Sequence, residues 1–320
     1  MSPIKRIIIS CTLAFIMCQL SFIVIKKGID KYQVHNTARL TELLYNKTPY
    51  DILFLGSSRV HLGIDPAIID SVCKVNSYNG GIDGAGIFEF KMIFLAYLEN
   101  HPPPKYLVLT LDLHSFASSN SLFNYPEYFS FLKNTVINNY LNECGYSTLK
   151  VKLFPFLEMS DYDDNTKGYF IKGLLGQNEI PVGDFEYKGY LSNSENYISP
   201  IQPIPPLDTL EVSPIARNYL ADIFQICKDK NIQVILAYSP SYDHKIEQHH
   251  SNTAKIFSMI DSFAVSNKSI FLRGDNLELC SNPKLFANAG HLNKEGGREY
   301  SLILAEEINE IMKGNNPVNK

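Results

Sequence analysis

The chain has 320 residues, 45% of them hydrophobic and 19% charged, with 19 Tyr and 19 Phe. That composition excludes intrinsic disorder and is ample for a large core. A formal charge of -4 leaves no electrostatic footprint for nucleic acid, and six cysteines without a Cys-x-x-Cys pair exclude a disulfide scaffold or a zinc site of that kind.

Residues 7–25 carry no charge, and Lys5, Arg6, Lys26 and Lys27 flank them. At 1.5 Å per residue, roughly 19 residues span about 28 Å, close to the hydrocarbon thickness of a bilayer. No small-x-small cleavage site follows Ile25. The segment 1–27 therefore reads as an uncleaved signal anchor, with the lipid bilayer as its partner and the main domain expected outside the cytoplasm. Flanking charge at both ends does not set the orientation by itself.

Residues 28–49 are polar with a helical pattern in Leu40, Leu43 and Leu44, and read as a stalk. Asp51–Gly56 is a short apolar run ending in glycine, the pattern of a buried parallel strand. A helix over Pro66–Ser71 follows, then a weak strand over Lys74–Tyr78 and a Gly-rich turn over Asn79–Gly84. Phe88–Glu99 has helical spacing, and Lys105–Leu111 is the clearest strand.

From about 116 to 210 the pattern dissolves into aromatic, Pro-rich and Asn/Ser-rich sequence. A stretch this long predicts an insertion with helices of its own, one over Tyr128–Leu141. Order returns with a helix over Ile215–Lys230, a strand over Ile232–Tyr238 and a helix over Ser251–Val265. A strand over Ser269–Leu272 and a helix over Lys294–Met312 complete the domain, 50–315, with 316–320 as a tail. Alternating strands and helices predict an α/β fold, a parallel sheet with helices on both faces.

In such sheets the site lies beyond the C-terminal ends of the strands. Gly56-Ser57-Ser58-Arg59 stands after the first strand, where a serine on a strand-to-helix turn is exposed and its N–H points from a helix start. The same pattern also reads as a helix cap. The Asn79–Gly84 turn offers bare backbone N–H groups, or simple turn chemistry. His291 stands before the last helix, in Phe286–Asn293. Together they have the logic of nucleophile, oxyanion hole and base. Arg59, Asn79, Asp112 and His114 are possible substrate contacts, and His61 beside Arg59 is an anion-binding candidate. Glu247, His249 and His250 lack the spacing of a metal set, and Asp161–Asp164 reads as a solvated loop; no metal or cofactor is expected.

Phe54-Leu-Gly-Ser-Ser-Arg59, Asn79-Gly-Gly81 and His291-Leu-Asn-Lys-Glu-Gly296 resemble the ordered blocks of the SGNH/GDSL hydrolase superfamily. The chain is similar in particular to its membrane-anchored, DltD-like and alginate-acetylation-like branch, over roughly 50–115 and 215–315. The resemblance implies a flavodoxin-like three-layer sandwich, Ser58 as nucleophile and His291 as base. It implies an oxyanion hole from the backbone N–H groups of Ser58 and Gly81, or alternatively Gly80. Two features depart from the pattern: no Gly-x-Asn-Asp turn follows the third strand, and Asn288 stands where the family carries a supporting aspartate. An amide brings no charge and can favour the wrong imidazole tautomer; the corresponding change in serine proteases costs about 10⁴-fold. Asp275 and Asp243 are alternative carboxylates.

The expected function is an anchored esterase or O-acyltransferase acting on acyl esters of cell-envelope glycans or related polymers. The alternative is a weak or inactive relative that binds glycan or partners a membrane-bound O-acyltransferase. A cytoplasmic flavodoxin-like protein with a core N-terminal helix is a third reading.

Overall fold

The computed structural model describes residues 2–31, 36–116, 122–123, 125–156, 166–175, 186–192, 209–244 and 246–315. Two compact units emerge, one built from 1–41 and 124–181, the other from 42–123 and 182–320. Asp161–Asp164 and the 316–320 tail lie outside the described residues.

The larger unit is organised by five parallel strands: β1 (Ile52–Gly56), β2 (Ser77–Gly81), β3 (Tyr106–Thr110), β6 (Gln233–Tyr238) and β7 (Ile270–Arg273). Their order is β2-β1-β3-β6-β7. The intervening short strands β4 (Glu186–Tyr187) and β5 (Tyr190–Leu191) form a separate antiparallel hairpin. Side chains alternate between faces along a strand, and both faces are covered. Ile52 and Phe54 join Val108 and Ile235 in one buried cluster with Leu304 and Ile308 of the last helix. Leu53, Leu55, Leu107 and Leu109 are buried as well, which is why these strands read as unbroken apolar runs.

The crossovers hold α3 (Ser58–His61), α4 (Pro66–Cys73), α5 (Ile87–Asn100), α10 (Pro214–Asp229) and α11 (Thr253–Ser266), and α12 (Lys294–Met312) follows the last strand. Their starts are encoded locally. Asp65 caps α4 by accepting from Ala67 N at 2.8 Å, with Pro66 at the first helical position. Asn293 caps α12 by accepting from Gly296 N at 3.0 Å. Helices α4 and α12 pack together, as do α5 and α10. The chain leaves β1 for β2 on one side and then crosses to β3 on the other. The crevice where that order reverses is where open α/β sheets bind ligands.

The α/β class and parallel sheet agree with the sequence expectation, and four differences are instructive. The second strand is Ser77–Gly81, so Asn79-Gly80-Gly81 is strand and the turn follows it. Glycine is required there by close approach: a Cβ on Gly80 would press on the Phe54 carbonyl, and one on Gly81 on backbone atoms of Ser57 and His61. The expected stalk is also structured. Leu43 and Leu44 of α2 (Asn36–Tyr45) are buried, and the Tyr78 hydroxyl donates to Glu42 Oε2 at 3.3 Å.

The expected insertion divides rather than forming one piece. Residues 124–181 belong to the smaller unit, whereas the β4–β5 hairpin belongs to the larger one and lies along the exposed edge of β2. There Lys188 O accepts from Asn79 N at 3.0 Å, while Lys188 Nζ reaches Asp70 Oδ2 at 2.5 Å and Asn76 Oδ1 at 2.6 Å. A covered edge removes a template for unwanted strand pairing.

The smaller unit contains α1 (Pro3–Lys31), α6 (Tyr125–Tyr128), α7 (Thr135–Glu143), α8 (Thr148–Leu153) and α9 (Thr166–Leu175). The helical stretch expected around Tyr128–Leu141 comes in pieces: α6 and a short 3₁₀ turn (Phe129–Phe131) precede α7, which starts afresh at the Asn134 cap. Among the described residues, α1 is the helix long and apolar enough to cross a membrane, over Pro3–Gly28. Among the described residues no cysteine is joined in a disulfide.

Candidate active site

The end of β1 delivers Ser57 and Ser58 to the crevice, Ser57 as the extended cap and Ser58 as the first residue of α3. Ser58 Oγ lies 2.8 Å from His291 Nε2, although 233 positions separate them. The histidine comes from a tight loop held at both ends by buried Phe286 and Leu292, which pair in an antiparallel bridge. Ala287 N closes the loop onto His291 O at 2.9 Å.

The other ring nitrogen, Nδ1, is 2.9 Å from Asn288 Oδ1. That same oxygen accepts from Gly290 N at 3.0 Å and His291 N at 3.1 Å. Two backbone donors fix the oxygen, rather than the NH₂, toward the ring. An acceptor opposite Nδ1 places the proton on Nδ1 and leaves the Nε2 lone pair for the serine hydroxyl. The tautomer expected to be at risk is therefore the correct one; what the amide lacks is the negative charge.

Neither alternative carboxylate takes the Asn288 position. Asp275 is buried and engaged by Arg273, through Nε at 2.7 Å and a terminal nitrogen at 2.5 Å. Asp243 is exposed in the loop after β6.

Arg59 and Asp112, expected as possible substrate contacts, both border the cavity beside Ser58 and also bind each other. Arg59 is buried, with one terminal nitrogen 2.9 Å from Asp112 Oδ1 and the other donating to the Ser239 and Pro240 carbonyls at 2.5 and 2.9 Å. The guanidinium lies 4.6 Å from the Tyr238 ring centroid. Burial alone would lower its pKa, but Tyr238, Asp112 and Glu247 outweigh that and raise it, so Arg59 stays charged. Ser57 Oγ donates to Asp112 Oδ2 and accepts from Arg59 N at 3.3 Å. This network ties the ends of β1, β3 and β6 together beneath Ser58. The strand-end rule points to Arg59 after the first strand and Asp112 after the third, but not to their mutual pairing.

Asn79, also expected at the substrate, is fully buried. Its amide donates to the Val60 and Ile64 carbonyls at 2.8 and 2.7 Å. Its Oδ1 accepts from Gly81 N at 3.0 Å. The Gly81 N–H expected in the oxyanion hole is thus engaged inside the strand, and Gly80 is packed on Leu55. His61 is likewise buried, with Nδ1 2.9 Å from Asp83 Oδ1.

Around Ser58 and His291 lies a cavity of about 230 Å³. Ala85, Leu113 and Ile246 give it apolar walls, Gly84 and Gly290 bare backbone, and His114 an exposed polar rim. The His114 ring meets His250 edge-on, with centroids 5.3 Å apart. Gly84, with φ of 70°, lines this cavity. Glu247 is held by the hydroxyls of Tyr238 and Ser241, and among the described residues no cluster of three His, Cys, Asp or Glu is placed to hold a metal.

No protein-family profile and no curated protein matches this chain. Its similarities are to solved structures. A GDSL-like lipase from Bacteroides thetaiotaomicron VPI-5482 is 12% identical, with a TM-score of 0.40 over 88% of this chain and 99% of that one. A protein assigned to the G-D-S-L lipolytic family, from Desulfitobacterium hafniense DCB-2, is 12% identical, with a TM-score of 0.39 over 80% and 97%. At that distance, chemistry must be argued from this chain's own residues.

Proposed function

We propose that this chain is a membrane-anchored serine esterase or O-acyltransferase of the SGNH type. The observation that carries the reading is the Ser58–His291–Asn288 relay, with a hydroxyl on an imidazole lone pair and the opposite ring proton held by a fixed acceptor. Ser58 Oγ attacks the acyl carbonyl carbon and its proton passes to His291 Nε2. The carbonyl oxygen becomes an oxyanion, received by the Ser58 N–H at the start of α3 and by the backbone of Gly84 in the cavity wall. Collapse expels the alcohol, which takes the proton from Nε2 and leaves an acyl-serine. A second hydroxyl then attacks: water gives hydrolysis, and a sugar hydroxyl gives transfer.

The apolar walls and modest volume suit a short acyl group, with His114 at the rim near the alcohol side. An extracytoplasmic site on an α1 anchor would face envelope polymers, so acyl esters of envelope glycans are the proposed substrates. Asn288 favours one rival, a relative that binds such glycans or a membrane-bound O-acyltransferase without turnover. A fluorophosphonate probe separates them. The enzyme reading expects a covalent adduct on the wild-type chain and none on Ser58→Ala. No adduct on the wild type, together with no turnover of a glycan acetyl ester, would establish the binder.

A further inference from the structure

Within the smaller unit, α1 and the inserted segment meet at defined heights. Phe15 lies near the middle of the apolar Pro3–Gly28 stretch. Its ring packs edge-on against Phe154 and Phe156, with centroids 6.0 and 5.8 Å away. Farther along, Gly173 of α9 lies on the backbone of α1, where a Cβ would collide with the Val24 carbonyl. Small residues allow such close approach between membrane helices. Lys26 Nζ then reaches Ser130 Oγ at 2.8 Å. The insertion thus follows α1 from residue 15 to residue 26, about 16 Å at 1.5 Å per residue.

Its outward side carries a group of apolar side chains together with Lys150 and Lys152. Leu149, Leu153 and Phe154 are exposed at α8, and Ile171, Leu174 and Leu175 at α9. Single exposed leucines are ordinary, but this group adjoins an α1 whose Ile7, Leu13, Met17 and Leu20 are exposed too.

We propose that α8 and α9 are embedded in the bilayer beside α1, with lipid acyl chains packed against their exposed side chains. This rests on the reading of α1 as a membrane span. Lipid is the fitting occupant because the ring contacts tie Phe154 and Phe156 to the middle of the span, where hydrocarbon surrounds a crossing helix. Non-spanning segments survive at that depth when protein covers part of their backbone, and α1 provides that cover. Lys150 and Lys152, exposed on α8, have stems long enough to carry their charges toward the headgroups.

The chain contains no Trp, so one introduced Trp reports without background. Full-length Phe15→Trp, Phe154→Trp and Leu174→Trp would each be reconstituted in phosphatidylcholine vesicles with or without acyl-chain-brominated phosphatidylcholine. The expected result is that bromolipid quenches Phe15→Trp and Phe154→Trp to within about twofold of one another, as shared hydrocarbon depth requires, and quenches Leu174→Trp clearly but less, since the neighbouring Gly173 meets α1 farther along, at Val24. Leu174 is exposed, so its replacement disturbs no packing and guards against a misfolded Phe154 variant. Quenching of Phe15→Trp alone would overturn the embedding and leave the anchor standing, with α8 and α9 facing water or protein. No quenching even of Phe15→Trp would overturn the anchor itself.

Discussion

His291 Nδ1 and Asn288 Oδ1 stand 2.9 Å apart, and the backbone N–H groups of Gly290 and His291 hold that oxygen in place. A supporting carboxylate does two things for an imidazole base: it selects the tautomer, and it stabilises the cation formed when the ring takes a proton. Here the loop geometry accomplishes the first with an amide. Only the second is missing.

Asn288→Asp should therefore raise the turnover of an acyl ester. The gain should be about 10-fold or more, yet well below the ~10⁴-fold seen when both roles are lost together. Steady-state kcat on an acetyl ester measures it. An unchanged or lower kcat would mean that His291 is not the base.

Arg59→Met should destabilise the larger unit by about 3–5 kcal/mol, because it leaves Asp112 buried without its cation. Asp112→Leu in the same chain should restore part of that loss, so the two changes would be clearly non-additive. Urea unfolding of the detergent-solubilised single and double variants gives the coupling. Strict additivity would show that the pair is not a unit.

The thiols should differ sharply in reactivity. Burial pushes Cys73 and Cys280 up to about 11 and Cys227 up to about 12, whereas Cys144 is partly exposed. A raised thiol pKa means less thiolate, the reactive form, at any lower pH. At pH 8 iodoacetamide should label Cys144 and spare the other three, as peptide mass spectrometry would reveal. Their labelling should appear only on unfolding or at strongly alkaline pH.

Gly81→Ala should cost about 1–3 kcal/mol as an overpacked site, since the added methyl presses on backbone of Ser57 and His61. It should also lower fluorophosphonate labelling of Ser58 by shifting α3. Thermal unfolding with probe labelling tests both; a neutral outcome would show that α3 can move without harm.

The sequence revealed the sheet's central strands because burial on both faces leaves them apolar throughout. It misread β2, since Asn79-Gly80-Gly81 has the composition of a turn; only tertiary crowding by Phe54, Leu55 and α3 explains glycine inside a strand. The helices of the insertion are short, four to ten residues, too brief for periodicity to rise above noise. Ser58, His291 and Asn288 could be found because each sits at a strand end or before a helix cap. The buried grip of Arg59 on Asp112 could not, because charged residues near a site read as ligands until their partners are known.

A ring steadied by an amide also bears on behaviour in acid surroundings. Where a carboxylate does the steadying, its charge also favours the protonated ring and carries the loss of activity to higher pH. The Asn288 side chain brings no charge, so the acid limb of an enzyme built on it should lie at lower pH than that of its Asn288→Asp variant. That displacement is readable from plots of log rate against pH for the two chains.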